Sequence, residues 1–489
     1  MDIKRELIRI IEGKEEINYI EEWEYLKKNV TEEMLIKYGV ICIQKSSSSQ
    51  VAEEYLNIVN SSENFSILQK YYLLNQINAF MFGDASFVQT NSIKKLGYRM
   101  YNEIYKKYLQ QLNEVNWIDI NERDEDLIFV TVQQFLNLNH GPTKTTLDRA
   151  RVLKQRLNKR VIIINTAEML GGEDVPIAVG FNVNYDSNLM NVESIEYEGE
   201  KFPYVQFDNN TPNIEAGKLL VEFVKKYKPS YIVNIGGNSL MVDVCANVVP
   251  VLNVNTVPSN ISCTHATAQV VGKVSESNPD ELLKIVGKDM KSVIFGRFTS
   301  SLKKQNQTLN RKELGCVADS FIIAVVGARL TTELDERFIK MIEPALYKGA
   351  YVLIIGEMNN YEQMCINNSI FKQKTIYLGM QDDVLAILDN VDLYVNPDRI
   401  GGGTSVIEAM YKAIPVVTLD HGDVALGAGE EFWVHSYAEM TEKIIKYMND
   451  IDYYNMMSKK AKERANYMLD SDGAFTDIIR EFETKFCLK

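Results

Sequence analysis

A turn of three glycines, Gly401, Gly402 and Gly403, lies between two apolar stretches in the last fifth of the 489-residue chain. Glycines let the backbone turn sharply and approach a ligand, and Thr404 or Ser405 suits the N-cap of a following helix. The free N–H groups of a helix start favour a phosphate by about 0.3–1 kcal/mol. Glu408 would lie one turn further along the same helical face. These residues predict a site for a diphosphate, with Glu408 accepting hydrogen bonds from a ribose.

The flanking sequence predicts the elements that hold this turn in place. The stretch from Val391 reads as a strand that runs into the glycines. Pro415 ends the helix after the turn, because the residue before a proline avoids the α region. Val416 to Leu419 is an apolar run, which is typical of a buried parallel strand. The order predicted is strand, glycine turn, helix, strand.

Two motifs together resemble a known family. The letters Gly-Gly-Gly-Thr-Ser, Glu-Ala-Met and Pro-Val-Val within residues 401–417 resemble the donor-binding segment of GT-B-fold glycosyltransferases, especially the family 4 group (glycosyl transferases group 1). There is also some likeness to protein glycosyltransferases. Residues 327–330, Gly-Ala-Arg-Leu after an apolar run, are similar to the motif after the first strand of the donor domain in this fold. The resemblance implies an α/β protein of GT-B architecture, with two Rossmann-like domains facing a cleft after an all-helical N-terminal region.

The resemblance also assigns roles to residues. Arg329 is expected to clamp the donor diphosphate, since a guanidinium matches phosphate oxygens and a charge-assisted hydrogen bond contributes about 1.5–3 kcal/mol. Gly379 begins the loop where the fold receives the nucleobase through backbone groups. The nucleotide-sugar site is therefore predicted to comprise these two residues with the turn at 401–405, Glu408 and Arg399.

The chain departs from the family pattern at two places. Ile400 stands where many family 4 enzymes carry a second, sugar-facing glutamate. A lysine that usually follows the arginine by about five residues is also absent, because acidic and apolar residues occupy 333–335. The basic residues that could replace this lysine remain open from sequence: Arg297, Lys303, Lys304 and Arg399.

Two histidines are candidate catalytic residues because imidazole titrates near neutrality. His140 precedes a Gly-Pro turn after the first predicted strand of the N-terminal α/β domain, and it could equally be a turn residue. His265 lies among small polar residues after a later strand and could orient the sugar or act as a base. The sequence does not decide between these roles.

The chain divides into four predicted regions. Residues 1–122 form a helical N-terminal region, 123–305 an acceptor-side Rossmann-like domain, 306–465 the nucleotide-sugar domain, and 466–489 a C-terminal helix that could cross back to the first domain. The helical region is rich in tyrosines, which could recognise an acceptor or simply pack a bundle. The helix predicted over residues 143–157 is basic and could rest on anionic lipid or pack on the sheet with solvated charges.

Composition excludes several classes of protein. A net charge of −13 argues against nucleic-acid binding, which uses positive surfaces. Six cysteines without a C-x-x-C pair favour a reducing compartment and no structural zinc. We find no signal peptide and no apolar run long enough to span a membrane, so the prediction is a cytosolic protein of unknown oligomeric state.

The predicted function is a hexosyltransferase-type glycosyltransferase that needs no cofactor and no metal. Its donor substrate is a nucleotide-diphosphate sugar, and its acceptor is a protein, a glycan or a lipid-linked molecule. Two alternatives stay open: a UDP-sugar 2-epimerase of the same fold, and a non-catalytic subunit that steadies a partner transferase.

Overall fold

The computed structural model describes residues 18–487 except 84–86, 113–114, 169–184, 209–210, 258–259, 273, 275–277, 298, 301 and 318. The chain separates into two compact units. The first comprises Met1–Ile294 with Ile478–Lys489, and the second comprises Phe295–Asp477. The boundaries of the four regions stay a prediction.

The described part of the first unit begins with helices, as predicted. Side-chain oxygens of Asn18, Thr31, Ser48 and Thr90 cap four of them, which explains where these helices start. The helices are α1 (Tyr19–Asn29), α2 (Glu32–Ser46), α3 (Ser49–Ser61), α4 (Ile67–Gly83) and α5 (Asn91–Gln111).

The tyrosines of α4 and α5 are buried and fasten these helices to the rest of the first unit. The Tyr101 hydroxyl donates to Asp243 Oδ2 at 2.7 Å, and the Tyr98 hydroxyl donates to the carbonyl of Ile261 at 2.7 Å. Both rings are at most 7% exposed. A buried phenol must find a hydrogen-bond partner, and here the partners lie in the α/β part. Of the two interpretations of the tyrosines, the structure supports packing.

The α/β part of the first unit is built on an eight-stranded sheet with the order β3-β4-β2-β1-β5-β6-β7-β8. Its strands are β1 (Asp124–Val132), β2 (Arg160–Asn165), β3 (Ser194–Tyr197), β4 (Glu200–Gln206), β5 (Pro229–Ile235), β6 (Val251–Val254), β7 (Ala268–Val271) and β8 (Val293–Phe295). The helices between them are α6 (Gly141–Leu157), α7 (Ile214–Tyr227), α8 (Leu240–Cys245) and α9 (Pro279–Ile285).

A row of buried polar side chains crosses this sheet near the carboxyl ends of its strands. Asn165 Nδ2 donates to Gln206 Oε1 at 3.0 Å, and the Thr131 hydroxyl donates to Asn234 Oδ1 at 2.9 Å. Asn234 Nδ2 then donates to Asn253 Oδ1 at 2.7 Å. The bonded amides sit on directly paired positions of neighbouring strands. We call these five residues the amide row.

The basic charges of α6 are matched by acidic residues of the β3–β4 hairpin. Arg151 Nε lies 3.2 Å from Glu198 Oε2, and Lys154 Nζ lies 2.8 Å from Glu200 Oε2. The helix also packs an apolar stripe that includes Leu147 and Leu153. Internal ion pairs and core packing thus account for much of its composition, which favours the sheet-packing interpretation over a lipid-binding one.

The second unit is a six-stranded parallel sheet with the order β11-β10-β9-β12-β13-β14 and helices around it. The strands are β9 (Ile322–Gly327), β10 (Tyr351–Gly356), β11 (Thr375–Gly379), β12 (Leu393–Val395), β13 (Val416–Leu419) and β14 (Trp433–Val434). The helices are α10 (Leu330–Glu333), α11 (Glu336–Tyr347), α12 (Tyr361–Asn367), α13 (Ser369–Lys374), α14 (Val384–Leu388), α15 (Gly403–Tyr411), α16 (Gly422–Ala428), α17 (Tyr437–Asn449) and α18 (Ile451–Leu469). A last helix, α19 (Ser471–Phe482), begins in the second unit and ends in the first. The order strand, glycine turn, helix, strand appears as β12, 401–403, α15 and β13.

The strands β9 and β10 approach each other so closely at their ends that glycine is required there. Gly356 has a φ of +129°, and a Cβ on it would lie 1.7 Å from the carbonyl oxygen of Gly327. No side chain fits such a gap without moving one strand. The two glycines therefore allow the carboxyl ends of β9 and β10 to lie close together.

Candidate donor site

A pocket of about 430 Å³ lies at the carboxyl ends of the strands of the second unit. This is the edge where open parallel sheets bind ligands. Its walls come from the ends of β9 and β10, from the loops after β9, β11 and β12, from α10, α14 and α15, and from the segment before β9. The residues that line it are Lys303, Val326, Gly327, Ala328, Arg329, Glu333, Ile355, Gly356, Met380, Gln381, Asp382, Asp383, Val384, Leu385, Arg399, Gly401, Gly402, Thr404, Ser405 and Glu408.

The glycine turn forms one wall of the pocket, but its helix starts differently from the prediction. Gly402 is the N-cap of α15, with a φ of +102° and no side-chain cap, so neither Thr404 nor Ser405 caps the helix. The Ser405 hydroxyl instead donates to the Gly402 carbonyl at 3.1 Å. The N-cap prediction was wrong because Gly403 already has helical geometry, which moves the two hydroxyl residues into the first turn. The first N–H groups of α15 are thereby left without a side-chain acceptor, which suits an anion.

Arg329 reaches the pocket from the end of β9. Half of its side chain is exposed, and its Nε donates to Glu333 Oε1 at 3.3 Å. A Cβ placed on Gly401 would come within 3.6 Å of its Nη2 atom. The guanidinium and the glycine turn therefore meet although they are more than 70 residues apart in sequence, as the diphosphate-clamp prediction requires.

Arg399 lines the same pocket but is buried, with 5% of its surface exposed. Its Nη1 donates to Glu333 Oε2 at 2.9 Å, its Nη2 to the Val326 carbonyl at 2.7 Å, and its Nε to Asn396 Oδ1 at 2.9 Å. It ties the loop after β12 to the end of β9. A Cβ on Gly402 would touch its guanidinium at 2.8 Å, so this arginine also sets the shape of the glycine turn. In the structure, Arg399 mainly supports the loop and the glycine turn that line the pocket.

Glu408 lies on α15 where the sequence placed it. It is 8% exposed and faces the pocket about one helical turn from the glycines. Ile400, which replaces the second glutamate of family 4, is 43% exposed and does not line the pocket. The half of the site predicted to hold diphosphate and ribose is thus assembled, while the sugar-facing carboxylate has no counterpart at 400.

The loop after β11 forms the opposite wall. Gly379 itself has a φ of +64° and does not line the pocket; Met380, Gln381 and Asp382 do. Met380 is 70% exposed, which leaves an apolar thioether free at the mouth of the pocket. The loop predicted to receive the base therefore lines the pocket through the residues that follow Gly379, and its contact with a base stays a prediction.

Glu333 and Asp383 also line the pocket, and neither was predicted from the sequence. Glu333 holds Arg329 with one oxygen and Arg399 with the other. Asp383 Oδ2 accepts from the backbone N–H groups of Asn306 and Gln307 at 2.6 and 3.1 Å. The spacing of Arg329 and Glu333, four residues apart, was a usable signal for the first contact. No local signal links Asp383 to a segment 76 residues earlier.

A chain of histidines and carboxylates braces the loop that carries Arg399. His421 Nε2 lies 2.8 Å from Asp398 Oδ1, and His435 Nδ1 lies 2.9 Å from Asp420 Oδ2. The hydrogen bond to Asp420 and its charge raise the pKa of His435. Gly422 packs so tightly against this loop that a Cβ would lie 2.5 Å from the Ile400 carbonyl oxygen. Residues 420–423 thus support the loop after β12, which forms part of the pocket wall.

Both candidate catalytic histidines lie in the first unit and have structural partners. The ring of His265 stacks on Tyr105 with centroids 3.6 Å apart, and burial lowers its pKa to about 3. His140 is the N-cap residue of α6, its Nδ1 lies 2.9 Å from Thr143 Oγ1, and burial lowers its pKa. An imidazole with a pKa near 3 is a weak base at neutral pH. The structure therefore favours a packing role for His265 and a turn role for His140.

Within the described residues, no group of three or more histidine, cysteine, aspartate or glutamate side chains is arranged to bind a metal ion. No helix in the same part of the chain is long and apolar enough to cross a membrane. All six cysteines are free thiols.

Comparison with known proteins identifies one matching family model and solved structures of similar fold. Residues 306–464 match the model of the family Glycosyl transferases group 1. Among solved structures, a glycosyltransferase from Rickettsia africae ESF-5 superposes with a TM-score of 0.53 at 13% identity, covering 74% of this chain and 99% of its own. A mutant O-GlcNAc transferase from Thermobaculum terrenum superposes with a TM-score of 0.55 at 10% identity, covering 93% and 87%. No curated protein sequence matches the chain significantly. The GT-B fold expected from the sequence is confirmed.

Proposed function

We propose that this chain, which carries a glycosyl transferases group 1 domain on a GT-B fold, transfers a sugar from a nucleoside-diphosphate sugar bound in the pocket of its second unit. The family match confirms the predicted glycosyltransferase class. The observation that carries the donor assignment is the convergence of Arg329, the uncapped start of α15 and Glu408 on one pocket. The proposed acceptor is a hydroxyl or amide group of a protein, a glycan or a lipid-linked molecule.

The pocket can hold each part of such a donor by a separate interaction. The start of α15 contributes about 0.3–1 kcal/mol to a bound phosphate, and Arg329 adds about 1.5–3 kcal/mol for each charge-assisted hydrogen bond. We assign the carboxylate of Glu408, which lines the pocket, to the two ribose hydroxyls as their hydrogen-bond acceptor. Because Met380 lies at the mouth of the pocket beyond β11, we assign the nucleobase to that side.

We also propose that transfer needs neither a metal ion nor an organic cofactor. Positive groups from the protein, the Arg329 guanidinium and the N–H groups of α15, face the place assigned to the diphosphate and can stabilise its developing charge. Activity should therefore survive EDTA, and a complete loss that magnesium restores would refute this reading. A cytosolic location is proposed on the basis of the six free thiols, which fit a reducing compartment.

Calorimetry with UDP, GDP and their sugars tests the donor site. Arg329→Ala should weaken binding about 10- to 150-fold, the equivalent of one charge-assisted hydrogen bond. Glu408→Ala should weaken nucleotide binding about tenfold or more but leave the affinity for inorganic diphosphate unchanged, since the carboxylate acts on the ribose. Unaltered affinity in both variants would refute the assignment of the pocket.

Incubating the wild-type protein with its best-bound donor separates the proposed transfer from its rivals. A transferase releases the nucleoside diphosphate and moves the sugar to an acceptor or slowly to water. A 2-epimerase would return the epimer of the donor sugar without an acceptor, and a non-catalytic subunit would leave the donor unchanged.

A further inference from the structure

Lys303 is a basic side chain that lines the donor pocket. It is exposed, and it forms no hydrogen bond or ion pair with any residue that the structure describes. An amine on a flexible stem that faces a pocket in this way can bind an anion at little cost in broken contacts. Lys303 is therefore available to bind a negatively charged group of a ligand.

The residues that follow Lys303 are anchored to the wall of the pocket. The backbone N–H groups of Asn306 and Gln307 donate to the Asp383 carboxylate, which also caps α14 through its other oxygen at 3.2 Å from the N–H of Ala386. Gln305 accepts from Lys412 Nζ at 2.6 Å. Only Lys304 separates Lys303 from this anchored stretch, which keeps the backbone of Lys303 near the pocket wall.

The other basic groups that could replace the missing family lysine are already engaged. Arg399 is buried against Glu333, as described above. Arg297 donates to the Tyr467 carbonyl at 2.8 Å and pairs with Asp470 at 2.9 Å. Lys304 does not line the pocket. Of the four candidates left open by the sequence, Lys303 alone combines a place in the pocket wall with an unengaged charge among the described residues.

The charges of the pocket show why a second cation matters. Glu333 and Arg399 form a closed pair, so apart from Lys303 the accessible positive charge on the described wall consists of Arg329 and the dipole of α15. A nucleoside diphosphate leaves with two to three negative charges, and one arginine that also bonds Glu333 balances only part of this. An added ammonium group would offset more of this negative charge.

We propose that Lys303 is a catalytic residue that binds the leaving diphosphate, in place of the lysine that this chain lacks after Arg329. The inference rests on the proposed function. As the bond from the anomeric carbon to the diphosphate oxygen breaks, that oxygen keeps the electron pair, and the Lys303 ammonium stabilises its new charge. The acceptor oxygen forms the new bond to the anomeric carbon, and its proton passes to the solvent.

The test compares Lys303→Ala with Lys304→Ala, an adjacent lysine outside the pocket. The assay is release of the nucleoside diphosphate from the best-bound donor, with water as acceptor, together with calorimetry of the nucleoside diphosphate and monophosphate. Lys303→Ala should lower kcat by about 100-fold, which is typical of removing one group that stabilises a developing anion. It should also weaken the diphosphate about tenfold while barely changing the monophosphate. Lys303→Arg should recover most of the loss, and Lys304→Ala should resemble the wild type.

The outcomes separate the two proposals. If the wild type binds and cleaves the donor but Lys303→Ala behaves like Lys304→Ala, the role of Lys303 is overturned and the donor site stands. Equal weakening of the diphosphate and monophosphate by Lys303→Ala would also overturn it, because the effect would not lie at the terminal phosphate. A wild type that binds no nucleotide would refute the proposed function itself.

Discussion

Replacing Arg399 by methionine should destabilise the second unit strongly although the change is modest in volume. Arg399 and Glu333 are buried, with 4% and 7% of their side chains exposed, and they share a hydrogen bond of 2.9 Å. Removing one partner of a buried ion pair costs about 3–5 kcal/mol, because the other charge stays behind in a site of low polarity. Here Arg329 still touches the other oxygen of Glu333 at 3.3 Å, which offsets part of the loss. We therefore expect about 3 kcal/mol.

Arg329→Met is the matched control for this change. It removes the same chemical group from the same carboxylate, but its side chain is 49% exposed, so we expect at most about 1 kcal/mol. The free energy of opening can be read from native-state hydrogen exchange of amides in β9 and β12, the strands that Arg399 joins.

A second variant keeps the test independent of side-chain volume. Adding Glu333→Gln to Arg399→Met removes the stranded charge and should recover about half of the lost stability. The reasoning is wrong if Arg399→Met opens the strands no more readily than Arg329→Met, or if Glu333→Gln adds its own cost to that of Arg399→Met in full.

Two further predictions concern the glycine turn and the first unit. Gly402→Ala should reduce both the stability of the second unit and its affinity for nucleotides, since Gly402 has a φ of +102° and its new Cβ would lie 2.8 Å from Arg399. Gly401→Ala is the control, because its nearest contact would be at 3.6 Å, and it should fold like the wild type. Melting curves and calorimetry of nucleotide binding distinguish the two variants. Burial raises the pKa of the Glu168 carboxyl to about 7, so the folded protein holds a proton that the unfolded chain has released above its ordinary pKa near 4.5. The free energy of unfolding contributed by Glu168 should therefore fall as the pH rises from about 4.5 to 7, by about 1.4 kcal/mol for each unit of pKa difference. Urea unfolding across this range should show a steeper fall for the wild type than for Glu168→Gln, and parallel curves would contradict the buried-proton account.

The sequence predicted the parts of the fold that depend on local pattern. The apolar run from Phe321 predicted β9, and the glycines after Arg399 predicted the turn before α15. Apolar runs and glycines influence the backbone within a few residues of themselves, so these signals are local. Arg329 and Glu408 were found for the same reason, since each is fixed relative to a recognisable strand end or helix start.

What the sequence could not give are the contacts made across the chain. Arg399 was predicted to face the donor, and only the fold shows that Glu333 and Val326 take up its hydrogen bonds. His265 was a candidate catalytic residue because it lies among small polar residues in the sequence. In the fold its ring stacks on that of Tyr105, 160 positions earlier. Burial and pairing are properties of the assembled structure. Residue type alone therefore predicted that Arg399 and His265 could bind a ligand or act in catalysis, whereas in the fold both make structural contacts.

The amide row of the first unit makes the sheet intolerant of misalignment during folding. Its amides bond across directly paired positions, and sliding one strand by a single residue would turn them to the opposite face. Each buried polar group left without a partner costs about 1–3 kcal/mol, so a slip that strands three or four groups costs on the order of 5–10 kcal/mol. That is comparable to the whole stability of a typical domain. Apolar strands alone would attract one another in several alignments, and these five residues select one of them.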